Sequence, residues 1–313
     1  MRWRVLISAP KFLAEVEEFR SRLEAAGIEI VIVPVRERLS ESELLEVVET
    51  IDGAICGDDQ FTEKVMRAAP RLKVISKWGT GIDSIDTRAA AQLGIRVCNT
   101  PNAFTDAVAD TALGYILNFA RGLLSMDRDV RRGLWTKPDL ISLGECTLGV
   151  IGVGNIGKAV VRRARAFGTR VIGTDPVAVD SSFLAETGLE MASLRELLEE
   201  ADFVSVHCDL NPTSLHLIGR NELAAMKSSA YLINTARGPI IDEAALVGAL
   251  REKSIAGAAL DVFEVEPLPA DSVLREFPNC LLATHNANNS RQVVKRVHES
   301  TIINLLNALQ ATK

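Results

Sequence analysis

The 313-residue chain reads as an α/β protein with two doubly wound parallel-sheet domains. Three observations predict this. Short β-rich runs alternate with amphipathic helical stretches from the start to about residue 98, the pattern of parallel strands covered on both faces. A glycine fingerprint that opens another α/β unit appears only at mid-chain. Finally, 313 residues with 47% hydrophobic and 24% charged content suffice for two cores of ordinary size.

In the first part, strands are predicted over 3–9, 28–33, 53–56, 72–77 and 95–98. Helices are predicted over 12–26, from Ser40 to about Thr50, over 62–69 and over 84–93. Gly27 and Pro34 punctuate the first units, and Ser40 with Glu43 forms a capping box. This part carries no phosphate fingerprint of its own, so substrate contacts are its natural task. Its most suggestive turn is Trp78-Gly79-Thr80-Gly81, just beyond the strand ending at Lys77. Ligands bind at the carboxyl ends of parallel strands, and backbone N–H groups bared by glycines can hold a small carboxylate; the alternative is a plain tight turn.

Asn99-Thr-Pro-Asn102 reads as a break between domains. The helix predicted over 105–121 is apolar around most of its circumference, which implies burial on more than one side, against the other domain or a second subunit. The charged segment 126–132 and the loop 133–145 follow, with Trp135 either a subunit anchor or part of a satellite core.

The stretch 148–175 reads LGVIGVGNIGKAVVRRARAFGTRVIGTD. A strand precedes Gly152, Gly154 and Gly157 at G-x-G-x-x-G spacing, and a helix follows, which is the context a dinucleotide site requires. The pyrophosphate would face the helix N-terminus. A second strand over 170–174 ends in Asp175, placed to accept hydrogen bonds from both ribose hydroxyls and to repel a 2'-phosphate, so NAD is expected rather than NADP. Beyond a loosely patterned segment, Ser193-Leu-Arg-Glu196 opens a helix to about Glu200. Strands are predicted over 203–207, 231–234 and 256–260, helices from Asn221 and over 243–252, and a final helix over 291–311.

A net charge of -6 and a pI near 5.4 argue against a nucleic-acid or anionic-membrane partner. Five scattered cysteines, never in C-x-x-C spacing, fit free thiols in a reducing cytoplasm and suggest no metal site. The first apolar run is too short for a signal peptide.

Arg237, the acids from Asp261 to Glu266 and His285 fall just beyond predicted strands, where a doubly wound sheet presents its ligands. An arginine fork binds a carboxylate bidentately, unless it is spent on a surface ion pair. Histidine exchanges protons near neutral pH, although a solitary histidine is more often structural. Glu266 would reach His285 only through the fold.

The segments LGVIGVGNIG, VHCDLNPTSLHLIG, LINTARGPIIDEAAL, AGAALDVFEVEP and the late THN, with KWGTGIDSID and VCNTPNAFTDAVAD before them, resemble the D-isomer-specific 2-hydroxyacid dehydrogenases, including their phosphoglycerate dehydrogenase branch. The resemblance covers nearly the whole chain. It implies a Rossmann NAD domain, residues 99–289, inserted into a flavodoxin-like substrate domain made of 1–98 and 290–313. By motif position, Arg237 would grip the carboxylate and 2-oxo group of the substrate, His285 would be the acid/base, and Glu266 would hold and tune that histidine. Gly152, Gly154, Asn155, Ile156, Gly157, Asp175, Thr235, Ala236 and Asp261 would contact NAD, and Gly79, Thr80 and Gly81 the substrate carboxylate. A homodimer joined through the NAD domain is also implied.

Two departures from the family's pattern stand out. Asn286-Ala-Asn-Asn289 replaces the Ile-Gly-Gly that follows the late histidine in many relatives. Where phosphoglycerate dehydrogenases tend to place an arginine, this chain has Cys56-Gly-Asp58-Asp59-Gln60, a carboxylate pair expected to repel a phosphate. A small 2-oxo acid is therefore expected rather than 3-phosphohydroxypyruvate. The alternatives are D-3-phosphoglycerate dehydrogenase proper and an NAD-sensing, corepressor-like binding protein. Formate dehydrogenase is disfavoured because its pattern has glutamine where Glu266 stands.

Overall fold

The computed structural model describes residues 2–311. The chain opens with β1 (Trp3–Ile7), α1 (Pro10–Leu13), α2 (Val16–Ala25), β2 (Ile28–Ile32), α3 (Glu41–Leu45), β3 (Gly53–Cys56), α4 (Glu63–Arg67), β4 (Val74–Lys77), α5 (Thr87–Gln92) and β5 (Arg96–Cys98). Then come α6 (Thr105–Arg121), α7 (Leu123–Arg131), β6 (Thr147–Ile151), α8 (Asn155–Ala166), β7 (Arg170–Thr174), α9 (Ser181–Thr187), β8 (Glu190–Met191), α10 (Leu194–Glu200) and β9 (Phe203–Val206). The rest is α11 (Arg220–Ala225), β10 (Tyr231–Asn234), α12 (Glu243–Glu252), β11 (Gly257–Leu260), β12 (Cys280–Leu282) and α13 (Arg291–Gln310). These elements form two compact units, one holding the chain up to Phe104 and from Ser290 onward, the other Thr105–Asn289.

In the first unit five parallel strands run in the order β2-β1-β3-β4-β5, the flavodoxin-like arrangement. Leu6, Ala54, Cys56 and Ile75 bury one face against Leu44, Val65, Met66 and Ala89 of α3, α4 and α5. The last helix, α13, packs on β3, β4 and β5, and the Ser76 hydroxyl donates to the Thr301 carbonyl at 2.9 Å. The predicted helix over 12–26 is split: Glu15 leaves helical geometry between α1 and α2, and its carboxylate comes within 3.2 Å of the buried His298 of α13. The Ser40 capping box forms, yet its helix stops at Leu45. The helix expected from Ser84 starts instead at Thr87, because the Asp86 carboxylate accepts from the Ala89 N–H and fixes the first turn there.

The second unit has seven parallel strands in the order β12-β11-β10-β9-β6-β7-β8, with β6 and its glycine turn where the winding reverses. Successive residues feed opposite cores: Leu232 and Ala258 one, Ile233 and Ala259 the other. That is why these strands read as continuous apolar runs. The apolar circumference of α6 is accounted for inside this unit, where Ala109, Ala112, Leu113 and Ile116 share a core with Val160, Val161 and Ala164 of α8. The segment after Asp175 contains α9, capped by Asp180, and the two-residue edge strand β8. Both residues of β8 are exposed, so no apolar pattern marks it.

Candidate active site

At the carboxyl ends of the second unit's strands, β10 runs into Thr235, Ala236 and Arg237, β11 into Asp261, and β12 into His285. Asn234, fully buried, organises the first turn: its carbonyl oxygen accepts from the Ala236 N–H at 3.0 Å and its amide donates to the Arg237 carbonyl at 2.9 Å. The half-buried Arg237 side chain leaves this turn with one nitrogen donating to the Ala236 carbonyl at 2.8 Å. Gly238 has no room for a side chain, since a Cβ there would lie 1.9 Å from the Phe263 carbonyl carbon. This contact locks the arginine turn to the loop that carries Glu266.

Glu266 divides its oxygens. One accepts from the Phe263 N–H at 2.9 Å, and the other stands 2.9 Å from Nδ1 of His285. A carboxylate acceptor keeps the proton on Nδ1, which leaves Nε2 as the nitrogen that gains and loses one. Only about a fifth of either side chain is exposed, 21% for His285 and 18% for Glu266. His285 holds φ at +48°, a left-handed conformation costly for this residue. Its N–H donates to the Asp261 carbonyl at 2.7 Å, and the next two N–H groups, of Asn286 and Ala287, donate to the Asp261 carboxylate at 3.1 and 2.8 Å. Asp261, 1% exposed, therefore braces the histidine loop.

Comparison with known proteins decides the family. Residues 113–287 match the profile of the D-isomer specific 2-hydroxyacid dehydrogenase NAD binding domain. The chain belongs to this family. A glyoxylate reductase of Korarchaeum cryptofilum is 41% identical over 254 residues, 79% of this chain and 76% of that protein. A D-3-phosphoglycerate dehydrogenase of Methanocaldococcus jannaschii is 39% identical over 267 residues, 84% of this chain and 51% of the other. Among solved structures, D-lactate dehydrogenase of Aquifex aeolicus, determined with NAD and lactic acid, superposes with a TM-score of 0.86 at 27% identity, covering 99% of this chain and 95% of that one. The chain is thus an NAD-dependent D-2-hydroxyacid dehydrogenase.

The dehydrogenase's glycine turn fits its cofactor. Gly152 has φ +90°, and a Cβ on it would lie 2.5 Å from the Cys208 nitrogen; one on Gly157 would lie 2.0 Å from the Gly152 carbonyl oxygen. Gly154, at the cap of α8, has nothing within 4 Å of its Cβ position, the open approach a pyrophosphate needs above a helix N-terminus. Asn155 and Ile156 form the first turn of α8. Asp175 is oriented by two backbone donors, Val153 and Val177, each at 2.7 Å. The buried Thr235 hydroxyl has no partner among the described residues, an orphaned donor that a bound group would satisfy.

In the first unit, the Gly79–Gly81 turn is pinned by its carbonyls. Gly79 O accepts from the N–H and hydroxyl of Thr100, at 2.9 and 3.0 Å, and Thr80 O from the Asn99 amide at 2.6 Å. Among the described residues no acceptor meets the N–H groups of Gly79, Thr80 or Gly81. The carboxylate pair read from the sequence is not a pair. Asp59 is fully buried, accepting at 2.5 Å from both the Ser8 hydroxyl and the Leu39 N–H, and burial pushes its carboxyl up. Asp58 instead meets Lys77 at 2.6 Å. Sequence reasoning passed over Lys77, Asn234 and Gly238. For Lys77 a signal existed: a lysine ending the buried strand VISK directly before the glycine turn.

Proposed function

We propose that this dehydrogenase interconverts a small 2-oxo acid of the glyoxylate class and its D-2-hydroxy acid, with His285 as acid/base. The observation that carries the reading is the Glu266–His285 contact of 2.9 Å, held by backbone hydrogen bonds at both ends. Arg237 binds the substrate carboxylate and 2-oxo oxygen and stabilises the charge that gathers on that oxygen. The bare N–H groups of Gly79, Thr80 and Gly81 take a carboxylate oxygen, which makes the first unit the substrate domain. NAD, when bound, would supply the hydride acceptor for oxidation and, in its reduced form, the hydride donor for reduction. In reduction, protonated His285 gives its Nε2 proton to the developing alkoxide; in oxidation it takes the hydroxyl proton. Glu266 keeps Nδ1 protonated and stabilises the imidazolium.

Gly152, Gly154, Asn155, Ile156 and Gly157 hold the pyrophosphate, Asp175 the ribose, and Thr235 and Ala236 the nicotinamide end. A homodimer is proposed through the exposed apolar residues Leu123, Leu124, Val130, Leu134, Trp135 and Ile141, of which Trp135 is 82% exposed. The five free thiols suit a reducing cytoplasm, and among the described residues no helix is long and apolar enough to cross a membrane.

NADH oxidation with glyoxylate, pyruvate, hydroxypyruvate and bulkier 2-oxo acids tests the reading. His285→Ala is expected to lower kcat by roughly 10²–10⁴ on the best substrate. Unchanged turnover in that variant would remove His285 from the mechanism, and NADH binding without turnover of any acid would favour a sensing role.

A further inference from the structure

Next to the Gly79–Gly81 turn stands an ion pair that the roles above leave unused. Lys77 closes β4, and its side chain is only 3% exposed. Its ammonium lies 3.8 Å from the point a Cβ on Gly79 would occupy. The positive charge therefore borders Gly79, the first glycine of that turn. Cys56 pairs with Lys77 in the sheet, so the loop after β3 emerges beside it and brings the Asp58 carboxylate to within 2.6 Å of the ammonium.

An ammonium beside a row of amide donors would make a strong anion site, as ready for a phosphate dianion as for a carboxylate. Asp58 changes that balance, because it neutralises Lys77 at contact distance. Asp59 has no such part: it accepts from the Ser8 hydroxyl and the Leu39 N–H in the interior.

We propose that Asp58 masks Lys77 and so sets the substrate class of this enzyme, admitting small monoanionic 2-oxo acids and refusing phosphorylated ones. The proposal rests on the reading that the Gly79–Gly81 turn receives the substrate. It separates two jobs of one loop: Asp59 fastens it to Ser8 and Leu39, and Asp58 filters by charge. Filtering of this kind works by making the wrong substrate costly rather than by adding contacts to the right one.

The test is the ratio of kcat/KM for 3-phosphohydroxypyruvate to that for glyoxylate, with NADH, in the wild type and in Asp58→Asn. Removing the carboxylate unmasks Lys77 with Asp59 in place, and the ratio should rise at least about tenfold. Lys77→Met added to Asp58→Asn should return the ratio to the wild-type value. If Asp58→Asn folds poorly, Asp58→Ser provides the same uncharged position with a hydroxyl for Lys77 to reach. An unchanged ratio in a folded variant whose wild type reduces glyoxylate would overturn the masking role and leave the functional reading intact. A wild type that turns over neither these acids nor any other 2-oxo acid would overturn both.

Discussion

Gly238→Ala is the most exacting perturbation of the proposed catalytic geometry, because it acts through backbone packing. A Cβ there would stand 1.9 Å from the Phe263 carbonyl carbon, 2.0 Å from its oxygen and 2.5 Å from the Glu264 nitrogen. Restoring the 3.4 Å of ordinary contact requires the loop to retreat by about 1.5 Å. The obstacle is backbone, so no rotamer change relieves it. Phe263 donates to Glu266, which holds His285, so the displacement passes directly to the proposed acid/base. The retreat also strains the hydrogen bond of 3.2 Å from the Glu264 N–H to Glu243. Overpacking of this kind costs about 1–3 kcal/mol of stability. A catalytic group misplaced by about 1 Å costs on the order of 10² in rate. Steady-state kinetics, with NADH affinity measured separately by fluorescence, should show kcat reduced about 10²-fold or more while the dinucleotide still binds. Wild-type kcat in a folded Gly238→Ala enzyme would refute the claim that this wedge positions Glu266.

Three other outcomes are expected. Burial pushes His207 down to about 4 from its ordinary 6.5, so in this window the unfolded chain binds a proton that the folded one refuses. Stability is then complete above pH 6.5 and falls toward pH 4, by up to about 3 kcal/mol; urea midpoints should show His207→Gln losing less than wild type on acidification. Asp175→Ala should bring the kcat/KM ratio for NADH over NADPH toward one, and an undiminished preference for NADH would take the ribose contact away from Asp175. Trp135→Glu should weaken self-association by about 2 kcal/mol or more, read by sedimentation, and an unaffected dimer would move the interface elsewhere.

Much of the scaffold was legible because its signals are local. The helix over 105–121, the strand over 231–234 and the helix over 243–252 lie where periodicity puts them. Edge strands were harder: β8 spans two exposed residues and β12 three, too few for a repeating apolar pattern. Periodicity also overstates short helices, as at Leu45, where the helix ends despite a good start signal. Asp58 and Asp59 show the deeper gap. Adjacent and chemically identical in the sequence, they diverge because one turns into the core beneath Leu39 and the other out toward Lys77, a distinction set by three-dimensional packing alone.

The acids at the strand ends of the second unit share one device. Asp175, Asp261 and Glu266 each accept at least one backbone N–H, from Val153 and Val177, from Asn286 and Ala287, and from Phe263. A carboxylate held this way is fixed in orientation before any ligand arrives. That matters for the role proposed for Arg237, as the cation that meets the substrate. A lysine beside any of these acids would compete with Arg237 for the same anion. Backbone donors carry no net charge and do not compete. In the first unit, Lys77, beside the turn proposed to take the substrate carboxylate, is met by the Asp58 carboxylate at 2.6 Å.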